Sequence, residues 1–231
     1  MNTRKLSNLE IEVVQAAFMS KVYTWMSGGL AITGLIAMWV ASIEGIELMI
    51  KENMMLFYGL FIGEILLVGY LIARISKISA QTAALIFTGY AALNGLTLSV
   101  VFLHYTQESI GSTFFVTAGT FAIMSIYGYY TKKDLTSWGS LLFMALIGVV
   151  IASVVNFFMQ SEMLYWIITY AGVFVFVGLT AYDTQKIKRM STASEIGSEE
   201  ESKGAIIGAL MLYLDFINLF LLLLRILGDR K

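Results

Sequence analysis

Apolar residues along this chain gather into seven long segments that short polar stretches separate. Each segment holds about 20 residues, enough for an α-helix to cross the hydrocarbon core of a bilayer. We therefore predict an all-α polytopic membrane protein with seven transmembrane helices and a single transmembrane domain over residues 1–231. The predicted spans lie near residues 22–42, 54–73, 80–103, 113–130, 136–158, 163–185 and 204–227.

The last segment carries polar residues on one helical face. At about 100° per residue, two glycines, an acid, an amide and a base share one stripe, which comprises Gly204, Gly208, Met211, Asp215, Asn218, Leu222 and Arg225. An ionised carboxylate is costly inside a bilayer, so this stripe should face protein or a water-filled cavity. It is either a functional site or a GxxxG packing seam in which Asp215 and Asn218 form interhelical hydrogen bonds.

Two further acids lie in or beside apolar segments. Glu64 is a functional candidate with Arg225 as its natural partner, and a purely structural ion pair between these two residues is equally compatible with the pattern. Asp183 ends the sixth segment beside Lys186, where it is either functional or simply solvated at the membrane boundary. Asn94, in the third segment, is expected to hydrogen-bond a neighbouring helix.

Composition narrows the function classes. The chain is 58% hydrophobic and 13% charged, whereas a soluble domain carries about 25% charged residues. The net charge of −1 gives no nucleic-acid footprint. With no cysteine and one histidine, His104, the chain offers no thiol chemistry and no multi-histidine metal site. We do not expect an enzyme.

The distribution of basic residues predicts the orientation. Eleven of the 15 lysines and arginines lie in the N-terminal segment and the even-numbered connections, so the N-terminus should be cytoplasmic and, with seven spans, the C-terminus outside. The basic tail GDRK departs from this rule, and a six-span arrangement with a re-entrant last segment would place it inside. The polar stretch STASEIGSEEESK, residues 191–203, carries Glu195, Glu199, Glu200 and Glu201 and is predicted to be a flexible cytoplasmic linker.

Four stretches together resemble the Bax inhibitor-1 family, also called the transmembrane Bax inhibitor motif family, in a bacterial form. They extend from Phe18 to Gly228 and read FMSKVYTWMSGGLAITGLIA, IYGYYTKKDLTSWG, AYDTQKIK and LYLDFINLFLLLLRILG. The resemblance implies seven helices, with the C-terminal helix central in a bundle of the other six. It also implies a place in the bacterial cytoplasmic (inner) membrane.

The same resemblance implies a pH-sensitive calcium leak controlled by two aspartates on the sixth and seventh spans. The matching residues are Asp183 of AYDTQ and Asp215 of LYLDF, which would form the pH sensor and gate and bind Ca²⁺ transiently. Supporting positions are the ion pair Glu64 and Arg225 and, flanking the gate, Arg74 and Asn218. Expected partners are membrane lipid, Ca²⁺ and protons, with no nucleic acid and no tightly bound cofactor.

Elementary electrostatics gives such a pair a mechanism. Two carboxylates at hydrogen-bond distance cannot both ionise at low cost, so they share a proton and titrate in coupled steps. Without that proton they repel, and their oxygens become hard ligands suited to Ca²⁺. Because Asp215 lies about 16 Å beyond Gly204 along a helix, the pair can meet only if the last helix begins in the cytosol or the sixth helix extends further than predicted.

Three other functions use similar residues. A non-conducting regulator that binds a membrane-embedded quality-control protease would use the aspartates only structurally or to sense pH. An intramembrane aspartyl protease also needs a GxGD-type motif and a proline-containing motif, and the sequence lacks both. Proton-coupled transporters are often built from inverted repeats, and no inverted repeat is evident in this sequence.

Overall fold

The computed structural model describes residues 8–191 and 197–231, and within them the protein is all-α, as the hydrophobic pattern predicts. Seven of its helices are long and apolar enough to cross a membrane. A one-turn 3₁₀ helix, Ile75–Lys77, follows the helix that ends at Arg74. The α-helices are α1 (Asn8–Ala41), α2 (Ile46–Glu52), α3 (Met54–Arg74), α4 (Ala80–His104), α5 (Gln107–Tyr130), α6 (Thr136–Met159), α7 (Glu162–Met190) and α8 (Glu199–Leu227).

Several helices are longer than the apolar segments that predicted them. The first begins at Asn8 rather than near residue 22, and α5 begins at Gln107 rather than near residue 113. At the start of α5 the Thr106 side chain accepts a hydrogen bond from the Ser109 N–H at 3.3 Å, which caps the helix. Hydropathy locates the part of a helix that matches a bilayer, and polar turns extend these helices beyond it.

The predicted linker over residues 191–203 is wrong in its second half, because α8 already begins at Glu199. The Ser198 hydroxyl accepts a hydrogen bond from the Glu201 N–H at 3.1 Å, and the Glu201 carboxylate accepts one from the Gly197 N–H. This pattern is a variant of the capping box, and it starts a helix in a polar sequence. Residues 192–196 of the predicted linker, including Glu195, lie outside the described residues.

The chain divides into two compact units, and one of them comprises Met1–His104 and Ile187–Tyr213. Its core surrounds Tyr213, which is fully buried and whose ring packs edge-on against Phe87. The Tyr213 hydroxyl is hydrogen-bonded to the Thr33 hydroxyl at 2.6 Å, and Thr33 also donates to the Ala91 carbonyl at 2.8 Å. These bonds tie α1, α4 and the first half of α8 together.

The second unit comprises Tyr105–Lys186 and Leu214–Lys231. A cluster from α7 and α8 forms its core: Val175, Phe176, Leu179, Leu219 and Leu222. Close helix contacts surround this cluster, and a Cβ atom at Gly172 would lie 2.8 Å from a methyl carbon of Leu222. The single-domain organisation stays a prediction.

Burial separates the last span from the others. In α8, 61% of the residues in the apolar 18-residue core are buried, compared with at most 39% in the other spans of the described chain and none in α6. On the predicted stripe, Gly208, Asp215 and Leu222 are buried, Gly204, Met211 and Asn218 are half-buried, and Arg225 is exposed. The middle of the last helix, with its polar stripe, therefore packs against protein, as do the apolar faces beside that stripe.

Candidate functional site

The carboxyl groups of Asp183 on α7 and Asp215 on α8 lie within hydrogen-bonding reach of each other in the second unit. Asp215 is only 4% exposed, and its Oδ2 atom has no hydrogen-bond partner among the described residues. Asp183 is half-buried. A hydrogen bond between two carboxyl groups requires a proton on one of them, so two carboxyl groups this close together are suited to sharing a proton.

Helix length explains how the two aspartates meet. The α7 helix continues past Asp183 to Met190, and α8 begins at Glu199, well before Asp215. The condition that the sixth span extends further than predicted is therefore fulfilled, and α8 begins before the predicted Gly204. Lys186 follows Asp183 by one turn, and its ammonium group lies 5.9 Å from the centre of the Tyr182 ring. Asp183 thus lies beside another acid.

The two residues that follow Asp183 on α7, Thr184 and Gln185, form hydrogen bonds with neighbouring segments of the chain. The Gln185 Oε1 atom accepts from the Leu135 N–H at 2.9 Å, and its Nε2 atom donates to the Lys133 carbonyl at 2.8 Å. One position earlier, the Thr184 hydroxyl donates to the Thr180 carbonyl of its own helix at 2.7 Å and lies 3.4 Å from the Ser125 hydroxyl, which can donate to it. Sequence reasoning did not single out Gln185, because a glutamine at the end of an apolar segment gives no signal of its own beyond the AYDTQ motif.

Small residues bring neighbouring helices close to this segment. A Cβ atom at Gly128 on α5 would overlap the Ala181 carbonyl, and a Cβ atom at Gly139 on α6 would overlap the Tyr182 ring. Both contacts lie within two residues of Asp183. The position of this carboxylate is therefore set by close helix packing as well as by the hydrogen bonds of Gln185.

Residues around Asp215 are mostly aromatic or apolar. The Phe216 ring lies 5.5 Å from the rings of Phe114 and Phe121 on α5. Asn218 is half-buried, and its side chain donates to the Leu214 carbonyl of its own helix at 2.8 Å. Of the two residues that the packing-seam interpretation used, Asp215 lies within hydrogen-bonding reach of a residue on another helix and Asn218 bonds within its helix.

Glu64 is buried in the first unit, where two residues of α4 donate to its carboxylate. The Thr97 hydroxyl lies 2.8 Å from Oε1, and the Asn94 amide nitrogen lies 3.3 Å from Oε2. The expectation that Asn94 bonds a neighbouring helix is confirmed. Thr97 is the residue that sequence reasoning did not assign to Glu64.

The two predicted arginines are both exposed. The Arg225 guanidinium lies 5.4 Å from the centre of the Tyr165 ring, within the second unit. Arg74 ends α3, and its carbonyl accepts a hydrogen bond from the Ile78 N–H at 3.2 Å. The ion pair between Glu64 and Arg225 and the gate-flanking roles of Arg74 and Asn218 stay predictions.

The two aspartates determine which side-chain ligands a metal ion would have at this site. Within the described residues, no group of three His, Cys, Asp or Glu side chains is placed to hold a metal ion. Ca²⁺ takes six to eight oxygen ligands, which include water and backbone carbonyls. Asp183 and Asp215 can supply two carboxylates to a hydrated ion, which fits transient contact with a passing cation.

Comparisons with known proteins cover almost all of this architecture. The family model described as inhibitor of apoptosis-promoting Bax1 matches residues 15–231. The inner membrane protein YbhL of Escherichia coli K12 is 52% identical over 217 residues, which are 93% of this chain and 92% of that protein. A Borreliella burgdorferi protein is 44% identical over 95% of this chain and 94% of its own length.

A membrane protein of Streptococcus pyogenes is 37% identical over 91% of this chain and 92% of its own length. The matched region includes most of α1, all the later helices, and both aspartates of the site. From the family match and these relatives, the chain belongs to the family of the inhibitor of apoptosis-promoting Bax1, the Bax inhibitor-1 family that its four motifs resemble.

Proposed function

We propose that this membrane protein is a pH-sensitive Ca²⁺ leak channel whose gate is the Asp183–Asp215 pair. The observation that supports the proposal is the closeness of these two carboxyl groups, one on α7 and one on α8, which lie where they can share a proton. A proton-dependent link between two membrane helices is a chemically simple pH-sensitive gate. Membership of the Bax inhibitor-1 family supports it.

Loss of the shared proton converts an attraction into a repulsion. Two full charges about 4 Å apart repel by about 4 kcal/mol at an effective dielectric constant of about 20. Because Gln185 fixes the α7 backbone beside Asp183, this repulsion acts between the helices and is not relieved by a local shift. The separated carboxylates then present oxygens that suit a hydrated Ca²⁺ ion.

The remaining residues have supporting roles in this proposal. Glu64 and Arg225, the predicted ion pair, are supporting positions in this proposal, and Arg74 and Asn218 flank the gate. The protein works without a tightly bound cofactor, and Ca²⁺ is the ion that it transports. The excess of basic residues in the N-terminal segment and even-numbered connections supports a cytoplasmic N-terminus. The inner membrane location of the Escherichia coli relative supports the same location here.

The test is Ca²⁺ flux into dye-loaded proteoliposomes across a pH series. The wild type, Asp183→Asn/Asp215→Asn and the matched control Glu12→Gln are compared, because Glu12 is an exposed acid on α1. We expect pH-dependent flux in the wild type and control and pH-independent or absent flux in the double variant.

Absence of Ca²⁺ flux in the wild type, when the wild-type protein is demonstrably folded, would refute the channel. In that case, co-purification of a membrane-embedded protease would support the non-conducting regulator instead.

A further inference from the structure

A cavity of about 620 Å³ lies at one end of the second unit, among the α6–α7 turn, the start of α7, and the end of α8 with its tail. Tyr165, which lines it, precedes Asp183 on α7 by about 27 Å of helix. The cavity is therefore separate from the aspartate pair by almost the thickness of a bilayer core. Its volume is within the range of small-ligand pockets.

Backbone contacts fix the tail that completes this cavity. The Thr106 N–H donates to the Asp229 carbonyl at 3.1 Å, and the Asp229 N–H donates to the Ser109 hydroxyl at 3.0 Å. Arg230 then forms an isolated antiparallel bridge with Tyr105. A Cβ atom at Gly228 would lie 2.6 Å from the Tyr105 ring, so glycine permits this approach. These contacts consequently fix the position of the Arg230 backbone.

Two guanidinium groups line the cavity, and tyrosines contact both. Arg225 lies over the Tyr165 ring. Arg230 donates to the Tyr105 hydroxyl, and this hydrogen bond raises the pKa of its guanidinium. Because a tyrosine side chain is neutral, it does not cancel the positive charge of the arginine that it contacts. Among the residues that line the cavity, Glu162 is the one carboxylate beside the two arginines. The cavity is net positive, and the planar fork of arginine suits the oxygens of phosphate.

The surface beside the cavity is suited to acyl chains. Phe157, Phe158 and Met163, on the helix ends that border the cavity, are 70%, 78% and 74% exposed. Trp166 lines the cavity next to Tyr165, and both residue types are typical of the membrane–water interface. A phosphate in the cavity would thus have apolar surface next to it at the depth where lipid headgroups lie.

We propose that this cavity binds the phosphate headgroup of an anionic phospholipid, with the two arginines holding the phosphate and the exposed aromatic residues contacting the acyl chains. Basic pockets between membrane helices bind anionic headgroups in this way. This inference does not depend on the Ca²⁺ channel.

The test is ligand binding to delipidated protein in detergent, measured by native mass spectrometry and by the shift in unfolding temperature. The probes are short-chain phosphatidylglycerol, short-chain phosphatidylcholine and free glycerol phosphate. We expect phosphatidylglycerol to bind about tenfold more tightly than the other two. Arg230→Gln should weaken that binding about tenfold, Arg230→Lys should restore part of it, and the charge-matched control Lys51→Gln should leave it unchanged.

Equal affinity for free glycerol phosphate and phosphatidylglycerol would overturn the lipid assignment in favour of a soluble phosphate. If Arg230→Gln binds phosphatidylglycerol as tightly as the wild type does, the assignment of the binding site to this cavity is wrong. If Arg230→Gln does not fold, Glu162→Gln decides, because removing the exposed carboxylate that lines the cavity should strengthen phosphatidylglycerol binding. Unchanged or weaker binding in that variant would also overturn the proposal.

Discussion

Replacement of Gly128 by alanine should destabilise the helix packing that positions Asp183. A methyl group at Gly128 would lie 2.9 Å from the carbonyl carbon of Ala181 and closer still to its oxygen. The obstructing atoms belong to the α7 backbone, so no side-chain rotation can relieve the overlap. The α5 and α7 helices must therefore move apart at this contact.

The size of the effect follows from the geometry. A normal contact requires a gap about 1 Å wider, and overpacking of this kind costs about 1–3 kcal/mol. Alanine returns about 0.5–1 kcal/mol through its better helix propensity. The difference is about 0–2.5 kcal/mol, and because the overlapped atoms are backbone atoms, we expect a net loss in the upper half of that range in the free energy of unfolding. The 3.4 Å hydrogen bond between Thr184 and Ser125 spans the same helix pair and should be lost.

The assay is reversible unfolding in mixed detergent micelles, followed by the far-UV circular dichroism of the helices. Gly119→Ala is the matched control, because Gly119 is on the same helix and a Cβ atom there would meet no neighbouring element within 4 Å among the described residues. The control should be neutral or slightly more stable than the wild type. A Gly128→Ala variant as stable as the control would refute the close contact between α5 and α7.

Two further substitutions test contacts in the first unit by the same unfolding assay. Thr97→Val removes the 2.8 Å hydrogen bond to buried Glu64 and should cost about 1–3 kcal/mol; an unchanged stability would contradict that bond. Lys21→Met breaks a 2.8 Å ion pair with the largely buried Glu201 carboxylate and should cost about 1–3 kcal/mol. The exposed pair of Lys51 supplies the control, since Lys51→Met should cost at most about 0.5 kcal/mol; equal costs would contradict the difference in burial.

The hydrophobic pattern was sufficient for the helices and for one face of the last span. Seven runs of apolar residues predicted seven membrane-length helices, and the helical spacing of Gly208, Asp215 and Leu222 predicted a buried face. Both predictions depend on hydrophobic periodicity, which can be determined from a short stretch of sequence alone. The start of α8 was missed although Ser198 and Glu201 carry a capping signal, because acidic composition was taken as evidence of a linker.

Other features depend on contacts between residues far apart in the sequence. The tail GDRK was unexpected in its charge, and its backbone is held by Tyr105, Thr106 and Ser109, more than 100 residues earlier. The support that Thr97 gives to Glu64 and that Gln185 gives to the segment around Asp183 likewise joins separate helices. No local period or motif encodes such pairings. They follow from tertiary packing alone.

We propose that a proton shared by Asp183 and Asp215 controls Ca²⁺ passage. Ca²⁺ flux against pH in proteoliposomes, for the wild type and for Asp215→Asn alone, tests this proposal. Asparagine can still donate a hydrogen bond to Asp183 but has no proton to release in this pH range. We therefore expect folded Asp215→Asn protein whose flux does not change with pH, beside a wild type whose flux does. Wild-type pH dependence in the variant would contradict the claim.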